Sequence, residues 1–487
     1  MLECRDRKKT REESTMPTKK SQKVITLHDL HPEDGAMLQA LYSRSPAGVE
    51  YHLDKVKKAG AGKFMSQYYV GYGHASIGDC GVTNIFIENY SMLACKSIQD
   101  NPLYSGQEAS TRYLDFSDQP STDPYNTPYT RGILDGWLAL YNEWLPKVEE
   151  ALAKKYPFDA MAYKDEKTWR NAVQVRAFDT MRAYLPVGTT TLFSWTTNLR
   201  QARDKLMKLK SHPLPEVRHM AKTVFTSLTE KYPNSFSGTE LDANSERYGK
   251  RDAYNQQEAV RENYESYAEI KQRMNITDAE EKQLFEGALV ARRNLLDVEG
   301  LNTLEGQTLE TRPQGGVLPR RLAAYGQYTM ACALDFGSYR DLQRHRNGIA
   351  PLPLLEPRFG MFWWYTKELA DLLGDDYANL EDATNDLYEK IKNLKSQGIE
   401  PDALLTQYLL PMGTTAICSL SYSVPQMVYV GELRSGKTVH PSLRPVAQNM
   451  LRALREDLAG IALYGDMDAD SWSEKRGTQT ITEKKAS

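Results

Sequence analysis

The chain has 487 residues, of which 40% are hydrophobic and 26% are charged, and its formal net charge at pH 7 is −3. This length suits two domains of roughly 200 to 250 residues with packed cores. The balanced charge gives no electrostatic reason to expect nucleic-acid binding. No apolar run approaches the roughly 18 residues that a membrane-spanning helix needs.

The two ends of the chain predict disordered tails, over residues 1–24 and 471–487. The N-terminal tail lacks the apolar core of a signal peptide, and Met16 is a second candidate for the initiating methionine. The five cysteines are odd in number and never spaced as CxxC. We therefore expect no disulfide framework, no structural metal site and a cytoplasmic location.

The first ordered segments alternate between helix and strand. Apolar residues at helical spacing predict a helix over residues 36–41. Residues 73–79 predict a turn and then a helix capped by Ser76. Such a helix start can be purely structural, but its N–H groups also bind phosphate, which makes His74 and Ser76 candidate cofactor ligands. The β-branched and aromatic residues at 83–90 predict a strand.

Three polar residues, Glu108, Ser110 and Arg112, occupy every second position of the next segment. In an extended chain this spacing places their side chains on one face. A guanidinium binds phosphate through two hydrogen bonds, a hydroxyl donates to it, and a carboxylate accepts from a ribose hydroxyl. The pattern indicates either a nucleotide site or a solvated strand face with one ion pair. The flanking Tyr104 and Tyr113 make the string more specific.

The rest of the first half contains a long predicted helix and two further basic residues. Apolar side chains recur at helical spacing over residues 134–145. Arg182 precedes a Leu-Pro pair, and Asn198 and Arg200 follow on the same stretch. Taken singly, both arginines would be surface charges.

The second half contains a basic tripeptide, Arg344-His345-Arg346. Asn347-Gly348 and two prolines end any helix directly after it. Two guanidiniums and an imidazole at a helix end suit an anionic or polarised ligand, such as a pyrophosphate or a reduced flavin. The alternative is an exposed basic cluster.

Three short segments recur in the same order about 225 to 245 residues apart, which indicates an internal repeat. The clearest pair is 184–190 and 409–415, which share Leu-Pro followed by Gly-Thr-Thr. We interpret the repeat as two homologous domains, 25–248 and 289–470, joined by a solvated helical connector, 249–288. Helical and strand patterns interleave, so we predict an α+β fold in which each domain is a mixed sheet packed with helices.

Together these strings resemble the flavin-dependent thymidylate synthases. The first half resembles the family along most of its length. The residues that match its motifs are Gly73-His74-Ala75-Ser76, Phe86, Ser105, Gln107-Glu108, Ser110, Arg112-Tyr113, Arg182, Asn198 and Arg200. This half has Asp100-Asn101-Pro102 where the family has Arg-His-Arg.

The second half has the converse pattern. It keeps the Arg-His-Arg tripeptide at 344–346, and Arg434 stands where the family has a pyrimidine-binding arginine. It lacks the serine and arginine string, because Ile349 and Leu354 stand at the serine positions and Glu356 at the arginine.

The resemblance implies a homotetramer whose active sites form between subunits. After a duplication, one complete site can then be assembled from both halves, and two tandem chains would form a homodimer equivalent to the tetramer. The complete site would contain Arg344, His345, Arg346 and Arg434 with Glu108, Ser110, Arg112 and Arg182. The reciprocal pairing, with Asp100 and no serine, would be inactive.

The implied reaction is the reductive methylation of dUMP to dTMP, with FAD as cofactor and 5,10-methylenetetrahydrofolate and NADPH as co-substrates. The implied substrate-binding residues are Glu108, Ser110, Arg112, Arg182, Arg344 and Arg434, with Arg344, His345 and Ser110 catalytic. The implied cofactor-binding residues are His74, Ser76, Gln107, Asn198, Arg200, His345 and Arg346. Asp341 and Gln107 depart from the glutamine and asparagine that are common in the family.

Two other functions fit the same sequence. The altered neighbours of Arg344 favour a flavin-dependent C5-methyltransferase acting on another pyrimidine nucleotide, and the half-lost motifs favour a non-catalytic nucleotide-binding relative. We expect small-molecule ligands and no nucleic-acid or membrane partner. Cys95 and Cys418 lack a pattern that would lower a thiol pKa, so we expect them to be core residues.

Overall fold

A computed structural model of the chain describes residues 24–65, 67–68, 75–236, 253–255, 257–258, 260, 263–471 and 473. Almost all of the two predicted tails, and His74, lie outside these residues. Within them, no helix combines the length and apolarity that crossing a membrane requires.

The described part of the first half is mostly helical, with two long strands. Its helices are α1 (Pro32–Tyr42), α2 (Val49–Ala59), α3 (Gly62–Phe64), α4 (Met92–Gln99), α5 (Pro128–Lys155), α6 (Glu166–Met181), α7 (Leu199–Leu209), α8 (Pro215–Lys231) and α9 (Pro233–Phe236). Its strands are β1 (Val82–Ser91) and β2 (Thr190–Asn198). The helices predicted at 36–41 and 134–145 and the strand at 83–90 are confirmed as α1, α5 and β1.

Among the residues that the structure describes, the remainder of the chain adds further helices and three longer strands. The helices are α10 (Tyr267–Met274), α11 (Asp278–Phe285), α12 (Val298–Leu304), α13 (Gly306–Glu310), α14 (Phe336–Gln343), α15 (Trp363–Leu373), α16 (Tyr377–Lys392), α17 (Val424–Arg434) and α18 (Arg444–Asp457). The strands are β3 (Tyr264–Glu265), β4 (Leu289–Asn294), β5 (Gln327–Asp335), β6 (Leu352–Pro353) and β7 (Thr415–Ser423). This mixture of helix and sheet agrees with the predicted α+β class.

Each half contains one main antiparallel sheet, and the two sheets have one strand pair in common, β1 with β2 and β5 with β7. In the first half β1 pairs antiparallel with β2, from Val82 opposite Asn198 to Ser91 opposite Thr190, with a bulge after Glu88. In the second half β4, β5 and β7 form an antiparallel sheet in that order. Strands β1 and β5 each lead into an eight-residue helix, α4 and α14 respectively. Strands β2 and β7 each lead into an eleven-residue helix, α7 and α17 respectively.

The two halves meet at their Leu-Pro segments, where Pro186 pairs with Pro411. The amide of Val187 donates to the carbonyl of Leu410 at 2.8 Å, and the amide of Met412 donates to that of Leu185 at 2.8 Å. Because these bonds are reciprocal, the segments are related by a local twofold axis. The axis brings the helices that follow β1 and β5 close to one another.

Each of the two Leu-Pro segments contains a glycine at the point where the segments meet. A Cβ atom at Gly188 would lie 2.7 Å from the carbonyl oxygen of Tyr408, and one at Gly413 would lie 2.6 Å from the Cβ of Ala183. These separations are too short for any side chain, which explains why the glycine occurs in both copies of the repeat.

The described part of the predicted connector is helical but not solvated. Helices α10 and α11 pack on the sheet of the second half. Tyr267, Ile270, Met274 and Leu284 are buried there. The prediction of a solvated segment was wrong for these residues. Charged side chains dominate the composition of the segment, but its few apolar side chains share one helix face, and that face packs on the sheet.

Candidate functional site

The site is built around the C-terminal end of α14. The helix begins at Phe336 and is capped by Asp335, whose carboxylate accepts a hydrogen bond of 2.8 Å from the amide of Ser338. It ends at Gln343, so that the predicted basic tripeptide follows directly, with Arg344 as the C-cap. Basic groups at a helix C-terminus interact favourably with the helix dipole.

Three guanidiniums from both halves of the chain surround the carboxylate of Asp341 on the last turn of α14. The nearest nitrogen of Arg112 lies 3.8 Å from it, that of Arg344 3.9 Å and that of Arg434 3.7 Å. We call these four residues the arginine cluster. Burial alone would raise the pKa of Asp341, but the arginines outweigh it and hold the pKa well below its usual range.

Arg112 is held in place by a second carboxylate, that of Asp179 on α6. The Nε and Nη2 atoms of Arg112 each donate to Asp179 at 2.5 Å. Its third nitrogen, Nη1, is the one that faces Asp341. The carboxylate of Asp179 also lies 3.8 Å from Arg176 and 3.7 Å from Arg182. A buried ion network thus supports the single arginine that the first half contributes.

Arg182 belongs to that supporting network. It is buried, donates to the hydroxyl of Ser338 at 3.2 Å and lies 3.8 Å from the carboxylate of Asp335. The structure therefore places this predicted substrate ligand one layer behind Arg112.

His345 connects the cluster to its surroundings. Its Nε2 atom accepts a hydrogen bond of 3.0 Å from Arg434, and its carbonyl accepts one of 3.2 Å from Gln426. Burial, with the charge of Arg434, lowers the pKa of His345 to about 4. The imidazole is thus neutral at pH 7 and carries its proton on Nδ1.

A cavity of about 520 Å³ lies on the other side of His345, between the two halves. Its basic lining residues are Arg200, Lys205 and Lys208 of α7 and Arg346 of the tripeptide. Three of the predicted cofactor ligands, Arg200, His345 and Arg346, therefore line one cavity.

Arg346 is fixed at the cavity wall. Its guanidinium lies 4.7 Å from the ring centre of Tyr104, and its Nε donates to the carbonyl of Gln99 at 2.5 Å. Asp100, which replaces the first arginine of the tripeptide in the first half, also lines the cavity. Burial raises the pKa of Asp100 to about 6.

Glu108 lies in a separate buried ion cluster near the twofold axis. One of its oxygens accepts from Arg340 at 2.6 Å, and the other accepts from Lys96 at 2.9 Å and Gln99 at 3.1 Å. Burial opposes ionisation, but Arg340 and Lys96 prevail and lower the pKa of Glu108 to about 2. Three donors therefore occupy the two oxygens that were predicted to contact a ribose.

The other predicted residues are more dispersed. Ser110 is half-buried, and its hydroxyl accepts from the amide of Arg112 at 3.3 Å. Gln107 is exposed, and Asn198 caps α7 through its side chain. The predicted helix cap at Ser76 is wrong. Ser76 is exposed within a 3₁₀ turn, Ala75–Cys80, which joins α7 through an ion pair of 2.7 Å between Asp79 and Arg200.

Several buried polar residues at the site were not anticipated: Lys96, Asp179, Asp335 and Arg340. Asp179 and Asp335 had no recognisable motif around them. Lys96 and Arg340 stand at matching positions of α4 and α14. A basic residue at the same position of both halves is the sequence pattern that could have identified them as site residues.

Comparison with known proteins found a family match within the first half. Residues 31–234 match the family described as thymidylate synthase complementing protein, which confirms the resemblance drawn from the motifs. Over 461 residues, 86% of this chain, it is 24% identical to a UPF0159 protein of Chlamydia pneumoniae, covering 81% of that protein. It is 22% identical over 453 residues to a UPF0159 protein of Thermoplasma acidophilum, covering 83% of this chain and 88% of the relative. These relatives align across both halves.

Proposed function

We propose that the protein is an FAD-dependent thymidylate synthase that converts dUMP to dTMP, with 5,10-methylenetetrahydrofolate and NADPH as co-substrates. One observation carries the proposal. The arginine cluster and the cavity adjoin one another, draw residues from both halves of one chain, and share His345 as their common wall.

The arginine cluster is the nucleotide side of the proposed site. Arg112 and Arg344 supply cationic donors for the phosphate, and Ser110 lies two residues from Arg112. Arg434 is oriented by its bonds to His345 and to the carbonyl of Asp341, and polarises the pyrimidine ring. Guanidiniums suit this task because their planar donors match phosphate and carbonyl oxygens.

The cavity is the flavin side. Its residues suit FAD, because the four cationic side chains outnumber the two carboxylates of the lining, Asp100 and Asp204, and so favour a pyrophosphate. The neutral His345 offers a polar wall without adding charge. When bound, the reduced flavin supplies the hydride for the reductive methylation. Arg346 and Tyr104 form a fixed stack that limits where a ring system can lie.

The protein's contribution under this proposal is positioning and electrostatics. Cys95 and Cys418 are fully buried, as predicted, and burial raises their thiol pKa values well above the usual range. Neither is suited to act as a nucleophile. The reaction is therefore assigned to groups that bind and orient the reactants.

Purified protein should bind FAD and oxidise NADPH in a dUMP-dependent manner. Replacing Arg434 with alanine should lower that activity at least a hundredfold while FAD stays bound, because the pyrimidine side is lost and the cavity is kept. The matched control is Arg452→Ala, an exposed arginine on α18. A wild-type protein that never binds flavin, or an Arg434 variant with full activity, would contradict the proposal.

A second candidate function is methylation at C5 of a different pyrimidine nucleotide. Asp341 favours it, since a carboxylate at the nucleotide side only accepts hydrogen bonds, whereas the glutamine common in the family also donates them. Growth of a thymidine auxotroph on the cloned gene supports the first function. Flavin binding without rescue supports the second, and dUMP binding without flavin supports a non-catalytic relative.

We also propose that two chains form a homodimer equivalent to a tetramer of single domains, with residues 25–248 and 289–470 as tandem domains. The reciprocal bonds at Pro186 and Pro411 support this arrangement within one chain. Light scattering should give twice the mass of the chain, and a monomer would contradict it.

A further inference from the structure

Asp341 occupies the centre of the arginine cluster, beside Arg112 and Arg344, the two residues to which the proposed function assigns the phosphate of the substrate. The three guanidiniums approach its carboxylate at 3.7–3.9 Å, which is ion-pair distance and beyond the range of a hydrogen bond. The side chain of Asp341 is 12% exposed and that of Arg344 is 56% exposed. The cluster is therefore open to solvent on the side of Arg344.

The cluster is already partly neutralised from within. Asp341 contributes one negative charge, and Asp179 binds Arg112 with both oxygens. Without Asp341, the guanidiniums of Arg344 and Arg434 would face Arg112 with no anion between them. The carboxylate thus stabilises the cluster through Arg112 and Arg344, the same residues that a phosphate would contact.

We propose that Asp341 is a built-in competitor for the phosphate, a specificity-determining residue that weakens binding of phosphomonoesters and makes the pocket depend on contacts to the rest of the nucleotide. This inference rests on the proposed nucleotide side of the site. A phosphomonoester must approach Arg112 and Arg344, whose guanidiniums already lie beside the carboxylate of Asp341. Its binding therefore requires that the carboxylate move aside or that two negative groups lie beside the same guanidiniums.

The size of the effect follows from Coulomb's law. A monoanion about 6 Å from a dianion costs a factor of about ten in affinity even with the dielectric constant of water. Replacing Asp341 with asparagine removes the charge and keeps the shape. We therefore expect Asp341→Asn to bind dUMP at least tenfold more tightly than the wild type.

The same substitution should have the opposite effect on the protein without ligand. The melting temperature of Asp341→Asn should fall, because the arginines lose the anion that separates them. A purely structural role for Asp341 would lower stability without tightening binding. The combination of a lower melting temperature and a higher affinity is therefore the signature of competition.

The test is calorimetric titration of the wild type, Asp341→Asn and Asp341→Glu with dUMP, deoxyuridine and inorganic phosphate. The gain in affinity should appear for dUMP and inorganic phosphate, vanish for deoxyuridine and be absent in Asp341→Glu. Glu166→Gln, which removes the carboxylate of an exposed ion pair with Arg170, is the control and should bind like the wild type.

Equal or weaker phosphate binding by Asp341→Asn would overturn the inference. Failure of every protein to bind dUMP would instead contradict the proposed function. Inorganic phosphate then still decides the role of Asp341, because tighter binding by the asparagine variant supports competition and unchanged binding refutes it.

Discussion

Replacing Glu108 with glutamine tests whether this residue binds the substrate or stabilises the fold. The motif favours a contact to the substrate ribose, whereas the structure places the side chain in a buried ion cluster where it is only 4% exposed. Its oxygens accept from Arg340 at 2.6 Å, Lys96 at 2.9 Å and Gln99 at 3.1 Å. A glutamine has one acceptor oxygen, so its amide nitrogen must face either Arg340 or the pair formed by Lys96 and Gln99.

The variant would therefore leave two buried cations without a countercharge and force two donors together. Breaking a buried ion pair by removing one partner costs about 3–5 kcal/mol, and we expect Glu108→Gln to lower the free energy of unfolding by about 3 kcal/mol. The pKa of Glu108 is about 2, below its ordinary value near 4.5. Its contribution to stability is thus fully present above about pH 4.5 and is lost as the pH falls toward 2.

Urea unfolding at pH 7 and at pH 3 measures this contribution. The difference between wild type and Glu108→Gln should be large at pH 7 and smaller at pH 3, while Glu166→Gln, on an exposed helix face, should change neither. A variant that unfolds like the wild type but has a raised KM for dUMP would refute the structural role and restore the ribose contact.

Two further predictions concern the cavity. Anionic ligands should bind there less tightly as the pH rises through about 6, because Asp100 becomes ionised, and Asp100→Asn should abolish this dependence in fluorescence titrations. Arg346→Ala should lower FAD affinity at least tenfold, measured by equilibrium dialysis, because a cationic wall residue and its stack on Tyr104 are both removed. The exposed Arg452→Ala is the control, and FAD affinity that is unchanged by Arg346→Ala would place the flavin elsewhere.

Local patterns in the sequence predicted much of the fold. The helix α5 and the strand β1 were readable because apolar side chains recur at the period of each element. The Leu-Pro repeat was readable because glycine and proline stand at the same places in both copies. The packing of α10 and α11 could not be predicted, because their few apolar residues resemble the pattern of a solvated helix. Their burial becomes evident only from the sheet that they cover.

For the candidate site, too, the sequence determined some features and the tertiary structure others. By itself the sequence determined that the basic tripeptide ends a helix and that the family motif is shared between the two halves. Only the tertiary structure decided which groups meet, because ion pairs such as Arg112 with Asp179 join residues that are far apart in the chain and follow no spacing rule. It also decided that Glu108 faces Arg340, whereas Arg112 faces Asp341. The twofold axis at Pro186 and Pro411 brings those partners together, and it exists only after both halves have folded.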